Sequence, residues 1–167
     1  MTHAENKVEW CLKKAKNELH ADGKHRGLVS VTPDIVRAMR HIAKAEHYLT
    51  ASNYLHGGNF SDISASTLFY SVYHCFLAIA LKFGYESRNQ ECTFSLITKL
   101  IADNKIDFDP QMLVKIVSFD SEQEKTILQL REQYQYGVDL TIQDNLYQEL
   151  LHLAQDVLLK TKTIIQS

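Results

Sequence analysis

In the segment FYSVYHCFLAIALKFGY, residues 69–85, Tyr70, Tyr73 and His74 stand at i, i+3 and i+4. On a helix these positions fall within about 100° of one another. Two phenols and an imidazole on an otherwise apolar segment suit one of two arrangements. They can satisfy one another inside a core, or they can wall a cleft where rings stack on a flat ligand and the imidazole trades protons. A second set, Arg37, Arg40, His41 and Lys44, recurs at i, i+3, i+4 and i+7. This cationic stripe is either a solvated face or a row of phosphate contacts, each of which would steepen the salt dependence of binding. A third set lies in LREQYQYG, residues 130–137. There a buried Arg131 would need a carboxylate, a carbonyl or a bound anion, and Glu132 and Asp139 are the nearby acids. Tyr136 can stack on a base or donate a hydrogen bond.

Other chemistries find little footing. His41 and His47 are six residues apart and His74 adjoins Cys75, so neither pair makes a ready two-ligand metal site. A glycine-rich phosphate loop, a Ser-x-x-Lys pair and a zincin motif are all missing. No metal and no other cofactor is expected. The basic loop GKHRG (23–27) could supplement the stripe, although neither interleaves with aromatics as single-strand binders do.

The net charge of −2 is unevenly spread. Residues 1–56 hold nine Lys/Arg against six Asp/Glu, whereas residues 57–167 hold nine against fourteen. Such polarity fits an anion site at one end, head-to-tail complementarity between chains, or, with margins this small, an incidental origin. Cys11, Cys75 and Cys92 are odd in number and widely spaced, which predicts free buried thiols rather than a disulfide framework. No apolar run reaches the roughly 20 residues of a bilayer span, and the N-terminus carries no signal pattern. A cytoplasmic protein without a membrane contact is expected.

A chain of 167 residues with two prolines and six glycines favours one helical domain with a real core. Val8, Cys11, Leu12, Ala15 and Leu19 predict a helix over 3–21, followed by a loop through ADGKHRGLVSV. Thr32, Pro33 and Asp34 predict a helix start, with Thr32 as N-cap, running to His56. Ser61 to Gly84 should be a central helix, apolar nearly all round, with a small strip of Ser71, Cys75 and Ala78 open to close approach. Further helices are predicted over 90–103, from Pro110, over 122–135 and over 143–165. The expected architecture is an all-α, antiparallel up-and-down bundle covering 34–167, with residues 1–33 as an N-terminal helix and basic loop extension.

The stretch AEHYLTASNYLHGGNFSDISASTLFYSVYHCFLAIALKFGYES resembles the HEPN family, the higher eukaryotes and prokaryotes nucleotide-binding domains. In that family a first helix ends in a Gly-containing turn. The next carries Tyr-Tyr-x-x-(Phe/Tyr)-His and closes with an apolar run and Gly. Phe69–Tyr70 stand at the tyrosine pair, Tyr73–His74 at the aromatic–His pair, and LREQYQYG is similar to the family's Arg segment. The likeness covers about residues 35–165. It implies a helical bundle, a homodimer, and either ribonuclease toxin activity of the toxin–antitoxin kind or work beside a small nucleotidyltransferase. Ribonuclease members use Arg-x4–6-His, but after Arg131 and four intervening residues stands Tyr136. Tyrosine, with its pKa near 10, is a poor base where histidine would serve. A pairing of Arg40 with His47 has the spacing but sits on the wrong helix. The resemblance, with Tyr136 where histidine is required, therefore implies a non-catalytic domain binding a nucleotide, RNA or a protein partner through Tyr70, Tyr73, His74, Arg131 and Tyr136. By their spacing Arg37, Arg40, His41 and Lys44 could add phosphate contacts if they are not simply a solvated face. If the chain is a metal-independent ribonuclease instead, Arg131, Tyr136 and His74 would carry the reaction.

Overall fold

A helix that is apolar on nearly every side must be surrounded by others, and residues 61–82 form the axis of this fold. The computed structural model describes residues 3–117 and 126–167. In chain order the described residues form α1 (His3–Asp22), β1 (Leu28–Ser30), α2 (Ile35–Gly57), α3 (Ser61–Lys82), β2 (Tyr85–Ser87), α4 (Gln90–Ala102), α5 (Pro110–Val117), α6 (Ile127–Tyr136) and α7 (Asp144–Gln166). Of the described residues 76% are helical, and they form an all-α bundle. Helix α3 touches α2, α4, α6, α7 and β2. Phe69, Val72, Phe76, Ala78 and Ile79 are wholly buried along it, and each large side chain so buried contributes about 1.5–3 kcal/mol. By length and composition α3 could also cross a bilayer, although no such run was expected; most of it is buried inside the protein.

The small strip on α3 is filled from within the chain. Ser71 Oγ donates to the Ala45 carbonyl of α2 at 2.9 Å. Cys75 and Ala78 are fully buried. Close approach at this strip is therefore between α3 and its own neighbours. Lys82, in the last turn of α3, donates to the Ile164 carbonyl and so satisfies the C-terminal end of α7. At the other end of the bundle His56 stacks on Tyr147, with ring centroids 3.7 Å apart.

Three local expectations need correcting. The segment read as a loop after α1 contains β1, which pairs antiparallel with β2 in the register Leu28↔Ser87, Val29↔Glu86 and Ser30↔Tyr85. Gly84 precedes β2 at φ +78, and a Cβ there would lie 2.9 Å from the Val31 carbonyl oxygen, so the turn requires glycine. The cap of α2 is Asp34 rather than Thr32, because the Asp34 carboxylate accepts from Arg37 N at 2.8 Å. Helix α6 begins after a Thr126–Gln129 capping box; residues 122–125, part of the expected helix, lie outside the described residues.

The thiol expectation fails at two of the three cysteines. Cys11 of α1 and Cys92 of α4 form a disulfide, their Cα atoms 6.0 Å apart. Local spacing gave no sign of this, because helix packing brings together residues 81 positions apart. A closed loop of that length stabilises the fold by about 4 kcal/mol in the chain-entropy account. With α1 packed on α4 and β1, and Val8, Cys11 and Ala15 buried, residues 3–33 share the common core. Cys75 is free and buried, its thiol pushed up to about 12 by burial.

Candidate functional site

The antiparallel packing of α2 on α3 decides which side chains meet. Positions 37, 41, 44 and 48 of α2 fall within about 80° of one another, as do 70, 74 and 77 of α3. Along their junction His41 Nδ1 lies 2.8 Å from His74 Nδ1. The two imidazoles stack with centroids 5.1 Å apart. Tyr48 continues the row, 5.5 Å from His74 and 5.6 Å from Tyr70. Lys44 Nζ sits 5.1 Å from the Tyr48 ring centroid, within cation–π range. The cationic stripe on α2 and the aromatic–imidazole row on α3 are thus two sides of one seam.

Its electrostatics follow from partial burial among cations. His74 is lowered to about 4 by burial, then by His41 and by Lys44. His41 is lowered by burial and by Arg37, against a smaller opposing pull from Glu86. A hydrogen bond between two ring nitrogens needs one donor and one bare acceptor, so at most one ring can be charged. With both groups lowered, the pair holds as neutral imidazoles at neutral pH. Arg37 is not free to meet a ligand: its Nη1 lies 2.6 Å from Glu86 Oε2. Glu86 on β2 also meets Arg88 at 3.2 Å and His25 at 3.4 Å. The Arg37 hydrogen bond foremost holds that carboxylate below its ordinary range. His25, expected in a flexible basic loop, is buried.

The remaining candidates lie elsewhere. Tyr73 turns towards α4, where its hydroxyl lies 3.4 Å from Thr93 Oγ1 and its ring packs edge-on to Phe94. Burial raises its phenol pKa. Arg131 is buried, with its guanidinium carbon 4.6 Å from the Phe69 ring centroid. Its Nη2 lies 3.7 Å from Glu132, and its Nε has no hydrogen-bond partner among the described residues. Phe69 and His74 are five residues apart, about 140° around α3, so Arg131 and the imidazole pair occupy different sides of that helix. Tyr136, the last residue of α6, is 77% exposed. Arg40 is exposed beside His41.

No family model matches the chain, and no curated protein matches it in sequence. The site therefore rests on its geometry. Two of its members escaped the sequence reading. Tyr48 continues the cationic stripe by one turn beyond Lys44, and extending the i, i+4 pattern would have found it. Glu86 sits in a short polar connection and becomes central only through the β1–β2 pairing. Among the described residues no group of three or more His, Cys, Asp or Glu side chains is placed to hold a metal ion.

Proposed function

We propose that this chain is a HEPN-like, non-catalytic binding domain whose α2–α3 seam takes a nucleotide or single-stranded RNA. The observation that carries this reading is the meeting of Lys44, His41, His74, Tyr48 and Tyr70 on one half-buried junction, with Arg40 alongside. Stacking rings with adjacent cations is the arrangement that holds unpaired bases and their phosphates. The ribonuclease alternative draws less support. Arg131 is packed on Phe69 and Tyr136 faces solvent, so the two do not converge on a phosphate.

In this reading the protein is a cytoplasmic homodimer that works beside a small nucleotidyltransferase. Disulfides persist mainly in oxidising compartments; in the cytoplasm Cys11–Cys92 would depend on its burial, 0% and 2% exposed. A protein partner is favoured by one separate feature. Ile35, Val36 and Met39 are exposed on α2, beside a groove of about 290 Å³ lined by Met39, Ile42, Ala43, Glu46, Lys162 and Gln166.

Fluorescence anisotropy with labelled single-stranded RNA at low salt tests the main reading. Binding should weaken steeply with salt and fall in Lys44→Ala and Tyr70→Ala. Absence of binding by the folded protein to RNA and to nucleotides would leave only the partner-subunit reading. Light scattering at high micromolar concentration checks the dimer, for which a monomer mass would be fatal.

A further inference from the structure

The geometry points to the His41–His74 pair as a proton-coupled anion site, where a phosphodiester entering the α2–α3 seam is bound together with a proton taken from solvent. The inference rests on the binding reading above and adds to it the ligand's charge and a pH dependence.

The pair is poised between two states. Unliganded, the rings share a single proton between facing Nδ1 atoms 2.8 Å apart. A further proton, taken at the bare Nε2 of the donating ring, would make one ring an imidazolium, and the surroundings oppose it. From α2 the pair meets Arg37, Lys44 and the ring of Tyr48, which stacks on His74; from α3, Tyr70 continues that row against Tyr48; from β2 comes the Glu86 carboxylate, already committed to Arg37. The nearest charges thus sum towards positive, and both imidazoles are held below their ordinary range, chiefly by burial.

A phosphodiester oxygen at this place reverses each of these terms. Its negative charge offsets Lys44 and the exposed Arg40. It also supplies an acceptor for the N–H group that the added proton creates. The proton enters at the bare Nε2 of the donating ring, leaves the Nδ1–Nδ1 hydrogen bond in place, and gives the resulting imidazolium a new N–H for the anion. The proton comes from buffer and leaves again when the anion does, so the step balances without any other reactant. Two converging imidazole nitrogens could also attract a divalent metal. The flanking cations oppose that occupant, and no third ligating side chain joins the pair among the described residues.

The test uses a short oligouridylate without a terminal phosphate, because neither its bases nor its phosphodiesters titrate in the relevant range. Isothermal titration calorimetry at 20 mM salt, in two buffers of different protonation enthalpy, reads affinity and proton uptake together. Affinity should tighten about tenfold between about pH 7.5 and about pH 5.5, with net uptake of a fraction of a proton up to one. His41→Gln and His74→Gln should flatten the pH dependence. Proton NMR of the imidazole resonances in the unaltered protein gives a reading independent of any variant: the His74 midpoint should rise on adding oligouridylate. Binding that is equally tight at both pH values, with His74 titrating unchanged, overturns the proton coupling and leaves the binding reading standing. No binding at either pH overturns both.

Discussion

A continuous run of ring contacts passes from His41 through His74, Tyr48, Tyr70 and Phe69 to Arg131, and its two ends behave differently. At one end Lys44 lies on Tyr48 at a half-buried seam. At the other Arg131 lies on Phe69, both of them buried. The pairing of cation with ring is the same; access to water is not. Buried, the pair replaces lost hydration and serves packing. At the surface it stays open to solvent and, in the proposed reading, to a ligand. Residue type alone therefore does not separate a buried structural contact from a solvent-open one, whereas accessibility does.

The largest expected effect falls at the closed end. Phe69→Ala should cost about 3–5 kcal/mol by denaturant unfolding, through the cavity left in the core. Arg131→Ala should cost less, about 2 kcal/mol, from the lost cation–π contact and the packing of its stem. Neither should alter RNA affinity once corrected for the folded fraction; a loss of affinity in folded Arg131→Ala would break the contrast between the ends. At the open end the order reverses. Tyr48→Ala should reduce RNA affinity about tenfold, while stability changes by under about 1 kcal/mol.

A pH series on the unliganded protein sharpens the contrast further. With His74 lowered to about 4 from an ordinary 6.5, the unfolded chain takes up the proton first as pH falls. Stability attributable to this group is complete above pH 6.5 and is lost progressively as pH drops towards 4. The denaturation midpoint at pH 5 should lie below that at pH 7.5, and His74→Gln should reduce the difference. An unchanged slope in that variant would remove the imidazole pair as its cause.

The helices were legible because their apolar residues recur every three or four positions, as in Val8, Cys11 and Ala15, or Leu150, Ala154, Val157 and Leu158. Both halves of the seam were legible as well, each on its own helix. Their meeting was not, because the register that sets His41 against His74 comes from packing 33 residues apart. The same holds for β1 with β2 and for Cys11 with Cys92, where no local pattern announces a distant partner. Arg131 looked like a ligand contact because its sequence neighbours do not reveal the buried Phe69 beneath it.

The covalent link between α1 and α4 makes residues 11–92 a closed ring that contains all of α2 and α3. The turn joining those helices carries the exposed pair Gly57–Gly58. A protease cutting there would open the ring without releasing either piece. The two fragments should migrate as one band on a non-reducing gel and as two after thiol treatment, so the molecule can be nicked between the two helices of the seam and still be tethered.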